Sequence, residues 1–127
     1  MNKIEMGKQR SKEVLGEQSE DIIKMFDTVS PDFTDYLLGF CFGDINTRKG
    51  FQDKYRELAV VACIIGQGIS GLPLKAHLGS MLNVGWTKEE VLELIIFLLA
   101  YKGFPSCVEA IVTFKELIDE REKNSQS

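Results

Sequence analysis

The chain has 127 residues, of which 44% are apolar and 27% are charged, a composition typical of one globular domain. Its 19 acidic and 15 basic side chains give a net charge of −4, which argues against a nucleic acid partner and against a basic membrane anchor. Three cysteines without close spacing argue against a disulfide framework and fit a reducing compartment. No apolar run approaches the roughly 20 residues of a membrane span, and the N-terminus carries no recognisable secretory signal. We therefore expect a cytoplasmic protein.

The first part of the chain predicts a lead-in followed by two helices. Residues 1–17 are polar and lack a clear period, so we expect them, like residues 124–127, to be frayed or peripheral, or to form a short surface helix. Helical spacing of apolar residues begins in 21–27. Ser30-Pro31 then supplies an N-cap and a proline at the first helical position. The apolar stripe of that next helix would consist of Phe33, Leu37, Phe40 and Cys41.

The rest of the chain predicts four more helices separated by glycines. A loop bracketed by Gly43 and Gly50 leads to a helix over 52–66, and a glycine-rich loop leads to another over 72–84, which Gly85 ends. Thr87 and Glu90 form a capping box that opens a helix to Lys102. Gly103 stops that helix and Pro105 starts the last one, whose predicted apolar positions are Val108, Ile111, Val112, Phe114, Leu117 and Ile118. Because strict alternation is absent, we predict an all-α bundle of about six helices, in a single domain over residues 1–127.

Two segments, 58–65 and 91–101, are apolar on nearly every side. A chain of 14.3 kDa can enclose few helices completely, because surface outruns volume at this size. The second of these helices is therefore predicted to lie at the centre of the bundle, and part of the apolar surface to be covered by another subunit.

His77 and Glu57 are the first candidates for acid–base chemistry. His77 is the only histidine, and helical spacing groups it with Leu74, Met81 and Val84, so it is either a core residue or a proton carrier. Glu57 shares a face with apolar residues of the helix over 52–66. It is either a general acid or base or an exposed first-turn glutamate favoured by the helix dipole.

The remaining motifs give weaker evidence for a nucleotide, metal or thiol site. The run from Gly66 to Gly71 matches G-x-G-x-x-G, but it follows a predicted helix, and a dinucleotide site needs a strand at that position. One histidine without companion ligands argues against a metal site. We interpret Cys41 and Cys63 as small buried hydrophobes, whereas Cys107 lies in a first helical turn, where the helix dipole can stabilise a thiolate.

Several motifs occur in an order that resembles a known family. They are Phe42-Gly43-Asp44, Arg48-Lys49-Gly50, Arg56-Glu57-Leu58, Leu74-Lys75-Ala76-His77, Leu82-Asn83-Val84-Gly85-Trp86-Thr87-Lys88-Glu89-Glu90-Val91 and Tyr101-Lys102-Gly103-Phe104-Pro105. Over residues 26–118 the chain resembles the carboxymuconolactone decarboxylase family of the AhpD-like superfamily. The resemblance implies an all-α fold whose subunits associate as homotrimers or homohexamers.

The superfamily's thiol peroxidases carry a Cys-x-x-Cys pair before the histidine, where this chain has Ser70 and Pro73. The resemblance is therefore to the decarboxylases, which act without a cofactor on small lactones in aromatic compound catabolism. The superfamily's peroxidases relay protons through an upstream glutamate and the histidine, so the wider resemblance implies His77 and Glu57 as catalytic residues. We expect Arg48, Lys75 and Ser70 to be substrate-binding residues. Three departures from the decarboxylases are Glu57 in place of a hydroxyl residue, Gly79 in place of an arginine, and Lys49 in place of a proline.

Three functions follow from these patterns. The first is a cofactor-free carboxy-lyase acting on a small anionic lactone or related carbonyl compound. In this reading Arg48 binds the carboxylate, His77 donates a proton, and Glu57 orients His77. The second is a non-catalytic oligomeric protein that binds small molecules, and the third is a redox-stress protein that uses single cysteines. Turnover that saturates with substrate would separate the first from the second, and activity that alkylation abolishes would identify the third.

The absence of the Cys-x-x-Cys pair generates the first prediction. We expect no dithiol peroxidase activity even with a thiol reductant, because no resolving thiol lies near a reactive one in sequence. The measurement is hydroperoxide consumption by the wild type and by a variant with all three cysteines changed to serine. A substantial rate that disappears in the serine variant would contradict the prediction.

Overall fold

A computed structural model describes residues 1–125, and helices account for most of them. The helices are α1 Lys3–Leu15, α2 Gln18–Val29, α3 Pro31–Tyr36, a π-helix Leu37–Ile45, α4 Asp53–Gly66, α5 Leu72–Asn83, α6 Lys88–Lys102 and α7 Phe104–Ser125. The described residues contain no strand, so the all-α prediction is confirmed. The count exceeds six because α1 is a full helix and the segment after Ser30 divides in two.

The chain separates into two compact units, residues 1–52 and the residues from Asp53 onward. The first unit contains α1 to α3 and the π-helix, and the second contains α4 to α7. The expected single domain over 1–127 stays a prediction.

Of the alternatives expected for residues 1–17, the helix is present as α1, but one of its faces is buried and it is not a purely surface helix. Asn2 and Glu5 form a capping box, and four residues of the helix are buried: Gly7, Ser11, Val14 and Leu15. The Ser11 hydroxyl also hydrogen-bonds the buried Ser19 hydroxyl at 2.5 Å. Small and polar residues form half of this buried face, so a search for apolar periodicity could not recognise it. The predicted tail at 124–127 is helical as far as Ser125, and its last two residues lie outside the described part.

The segment after α3 is a π-helix of nine residues, Leu37–Ile45. Its i to i−5 bonding ends with the Asn46 N–H donating to the Cys41 carbonyl at 2.9 Å. The predicted α-helical stripe is therefore wrong: Phe33, Phe40 and Cys41 are exposed, and Leu37 is only half-buried. Because the π-helix has a wider turn, residues four apart in this region share one face. The buried positions are Thr34, Leu38, Phe42 and Gly43.

The second unit follows the sequence prediction closely at its helix ends. Gly71, Gly85 and Gly103 have positive φ values of 73°, 114° and 92°, which residues with a Cβ atom rarely adopt. The predicted capping box is present, with the Thr87 hydroxyl accepting from the Glu90 N–H at 3.1 Å. In return the Thr87 N–H donates to the Glu90 carboxylate, and this bond lowers the pKa of Glu90.

The core of the second unit combines residues of all four helices. Val61, Leu78, Ile95 and Ala110, one from each helix, are all at most 1% exposed. Helix α7 contributes Cys107, Phe114 and Leu117 to this core, as the spacing of the last two predicted. Of its other predicted apolar positions, Ile118 is partly buried against this core, whereas Val108, Ile111 and Val112 are exposed. Ile96, Phe97 and Tyr101 of α6 are exposed as well. Helix α6 is thus buried on one side only, contrary to the expected central position.

Among the described residues, no helix is both long enough and apolar enough to cross a membrane.

Gly7 provides a stability prediction for the first unit. A Cβ on Gly7 would lie 1.8 Å from the Leu38 carbonyl oxygen, so α1 and the π-helix would have to separate. We expect Gly7→Ala to lower the free energy of unfolding by at least about 2 kcal/mol. Overpacking costs roughly 1–3 kcal/mol, and a backbone carbonyl cannot relieve the clash by changing rotamer as a side chain can. Denaturant unfolding followed by circular dichroism measures this change.

The matched control is Gly39→Ala, in the π-helix. A Cβ there meets only Ile4 Cγ1, at an ordinary 3.6 Å. We expect no loss of stability, because alanine is the better helix former by about 0.5–1 kcal/mol. Equal effects of the two substitutions would contradict the close approach at Gly7.

The exposed apolar side chains of α6 and α7 support the prediction that the chain is a homo-oligomer. We expect a mass that is a multiple of 14.3 kDa in light scattering at micromolar concentration. A stable mass equal to one chain would contradict this expectation.

Candidate functional site

Glu57 lies in the second turn of α4 and is only 1% exposed. Of the two interpretations left open for this residue, the exposed first-turn glutamate is wrong. Its position on the same helical face as the buried Val61 turns the carboxylate toward the interior of the second unit. A buried carboxylate requires a polar partner, because burying an unpaired charge is costly.

The partner of Glu57 is His77 on α5. His77 Nδ1 and Glu57 Oε1 are 2.8 Å apart, a direct hydrogen bond between side chains 20 positions apart in sequence. The contact needed for Glu57 to orient His77 is therefore present. The His77 side chain is 25% exposed, so it is neither a fully enclosed core residue nor a surface one. The catalytic roles of the two residues stay predictions.

The hydrogen bond makes the two ring nitrogens of His77 chemically different, because only Nδ1 is bonded to Glu57. An ionised Glu57 can only accept, and with Glu57 in that form His77 Nδ1 carries the proton and donates to the carboxylate. Nε2 is then the nitrogen at which the ring can take up or release a second proton. Because the side chain is partly exposed, the ring can exchange protons with a bound molecule or with solvent. The arrangement suits general acid–base chemistry.

Helix α7 holds α5 on either side of His77. Lys75 forms an ion pair with Glu120, and Arg121 Nη2 donates to the Gly79 carbonyl at 3.1 Å and to Asn83 Oδ1 at 3.0 Å. The sequence gives no sign of the roles of Glu120 and Arg121, because these residues lie about 40 positions from their partners and on a polar helix end. No local pattern could have linked them to the site.

The predicted substrate-binding residues lie in three different segments of the chain. Lys75 lies two positions before His77, but its ammonium group is paired with Glu120. Ser70 is exposed in the loop between α4 and α5. Arg48 belongs to the first unit, where its N–H donates to the Ile45 carbonyl at 3.2 Å in the turn after the π-helix. The structure thus brings together Glu57 and His77, and it gives no hydrogen bond from Ser70 or Lys75 to either of them.

The loop 66–71 joins two helices, so the interpretation of its glycines as an interhelix connection is confirmed. A cleft of about 240 Å³ lies beside it, lined by Gly68, Ile69, Pro105, Ser106 and Glu109. Neither Glu57 nor His77 lines this cleft, so it is separate from the acid–base pair.

The cysteines differ from their predicted environments. Cys41 and Cys63 are exposed, so their interpretation as buried hydrophobes is wrong, whereas Cys107 is buried at 2% exposure. Cys63 lies on the outer face of α4, where the Gln67 amide donates to its sulfur at 3.0 Å. Cys107 packs in the core, a position that limits the access of oxidants to its thiol.

Within residues 1–125, no group of three or more histidine, cysteine, aspartate or glutamate side chains is placed to hold a metal ion.

Comparison with known proteins identifies the family. The Carboxymuconolactone decarboxylase family matches residues 31–116. A 4-carboxymuconolactone decarboxylase of Acinetobacter baylyi is 29% identical over 106 residues, which cover 83% of this chain and 78% of that protein. A nitrosuccinic acid decarboxylase of Metarhizium robertsii is 29% identical over 110 residues, covering 86% and 76% respectively. Since the family match extends over more than half of the chain, the protein belongs to the carboxymuconolactone decarboxylase family.

Proposed function

We propose that the protein is a carboxy-lyase that removes carbon dioxide from a small anionic lactone or related compound without a cofactor. The observation that carries the proposal is the hydrogen bond between the buried Glu57 carboxylate and the partly exposed His77 ring. Its family membership and the two decarboxylases that it resembles support the same reaction class.

The reaction needs an electron acceptor in the substrate and a proton from the protein. When the carbon–carbon bond to the carboxylate breaks, carbon dioxide leaves and the bonding electron pair remains on the substrate. A neighbouring carbonyl or nitro group accepts that pair as an enolate or nitronate. A proton delivered to the carbon then completes the product. The protein's contribution is to deliver that proton and to stabilise the anionic intermediate.

The Glu57–His77 pair would perform the proton transfer. The doubly protonated ring donates from Nε2 to the substrate carbon, while Nδ1–H remains bonded to Glu57. The carboxylate stabilises the imidazolium before the transfer and keeps the remaining proton on Nδ1 afterwards. Because the His77 side chain is 25% exposed, the ring can regain its proton from solvent between turnovers.

Arg48, Lys75 and Ser70 remain the proposed substrate-binding residues, with Arg48 proposed to bind the carboxylate. Lys75 is the nearest to His77 in sequence, and its ion pair with Glu120 is on the surface, where such pairs are weak. A substrate carboxylate could therefore replace Glu120 as the partner of the ammonium group at small cost.

The test is decarboxylation of 4-carboxymuconolactone and of nitrosuccinic acid, the two acids named by the similar proteins. We expect carbon dioxide release and, in D2O, one deuterium on the product carbon. Glu57→Gln and His77→Gln should each lower kcat by a factor of about 100 or more, because general acid–base catalysis contributes roughly 10²–10⁴-fold. The double variant should lose little more, since members of one catalytic unit are non-additive.

Glu93→Gln is the matched control, because it makes the same chemical change at an exposed position of α6. It should leave kcat unchanged. Strictly additive losses in the double variant would contradict a joint role of Glu57 and His77. Saturable binding of these acids without carbon dioxide release would favour the alternative function, a non-catalytic binding protein.

A further inference from the structure

Trp86 lies between α5 and α6, and its backbone is fixed to the end of α5. The Trp86 N–H donates to the Met81 carbonyl at 3.0 Å, and the Gly85 N–H donates to the Leu82 carbonyl at 3.3 Å. With Gly85 at φ 114°, these two bonds form a Schellman motif. Met81, to which Trp86 is bonded, lies one turn after His77 on the same helix.

The side chain of Trp86 binds the other helix of the pair. Its indole N–H donates to the Lys54 carbonyl at 2.7 Å, and Lys54 Nζ lies 4.4 Å from the ring centroid. Lys54 is three positions before Glu57, in the first turn of α4. The ring is partly buried and packs against the core of the second unit.

Trp86 is thus bonded to both helices that carry the acid–base pair. Its main chain holds α5 one turn beyond His77, and its side chain holds α4 one turn before Glu57. This bond is a specific restraint on the first turn of α4, because it reaches Lys54 from outside the helix. A displacement of that turn would move the Glu57 carboxylate away from His77 Nδ1.

We propose that Trp86 is a positioning residue, which holds Glu57 in hydrogen-bonding register with His77 through its bond to the Lys54 carbonyl. The proposal rests on the proposed function for its kinetic consequence, but the geometry that it describes can be measured without turnover. The chain has one histidine and one tryptophan, so both groups can be observed and replaced without ambiguity.

The experiment measures the ring nitrogens of His77 by ¹⁵N NMR in protein labelled at histidine, with the imidazole neutral. In the wild type we expect the proton on Nδ1. Glu57→Gln should shift the proton toward a mixture of the two tautomers, and Trp86→Phe should move the signals in the same direction. Phenylalanine keeps the aromatic face but lacks the N–H donor.

Two further variants separate the hydrogen bond from other effects. Replacing Trp86 by β-(3-benzothienyl)alanine removes only the N–H and keeps the shape of the ring. This variant tests the hydrogen bond even if the Trp86→Phe protein does not fold. Lys54→Met removes the cation over the ring but keeps the carbonyl acceptor, and it should leave the His77 signals unchanged. The proposal is overturned if the benzothienyl variant has wild-type His77 signals. It is also overturned if Lys54→Met alters those signals as strongly as the Trp86 variants do.

Kinetics supply the second readout. Trp86→Phe should lower kcat by about 10- to 100-fold with little change in KM, since small misplacements of catalytic groups cost up to about 10²-fold. In the Glu57→Gln background it should have no further effect, because the residue that it positions is absent. An equal loss in both backgrounds would show a merely structural role. If no acid is decarboxylated by the wild type, the proposed function fails, while the NMR result still decides the positioning role.

Discussion

The second unit depends on one polar interaction in its interior. Glu57 is almost completely removed from solvent, and a buried carboxylate without a partner would oppose folding by several kcal/mol, on the order of 3–5. The imidazole of His77 satisfies it from the neighbouring helix at 2.8 Å. That requirement fixes how α4 and α5 align along their length. The bonds from Trp86 on one side and from Arg121 on the other act on the same two helices.

Glycine serves two different physical purposes in this protein. Glycines with positive φ end helices in both units, as at Gly16, Gly85 and Gly103. In the first unit, the absence of a side chain also permits backbones to approach closely. A Cβ on Gly7 would collide with the Leu38 carbonyl, and one on Gly43 would lie 2.4 Å from the Lys3 carbonyl oxygen. The first purpose leaves a recognisable signature in sequence, whereas the second does not, because the contact is made by residues far apart.

Under the proposed function, the chemistry is divided between protein and substrate. The two similar proteins are named for decarboxylating different acids, a lactone and a nitro acid. A substrate that carries its own electron acceptor needs only binding, a proton donor and stabilisation of the developing charge. A buried carboxylate paired with a partly exposed imidazole supplies the proton without defining the substrate. Specificity then belongs to the residues that bind the rest of the molecule.

The sequence by itself determined the helix ends of the second unit, the capping box at Thr87 and Glu90, the all-α class and the family resemblance. These features depend on local chemistry, namely caps, positive-φ glycines and apolar spacing, which a few adjacent residues encode. Only the tertiary structure decided which face of each helix is buried. It placed Phe33 and Cys41 outside, turned 37–45 into a π-helix, and buried α1 through glycine and serine. It also chose between the two interpretations of Glu57. Burial and pairing across helices depend on which backbones approach each other, and apolar spacing along one segment does not contain that information.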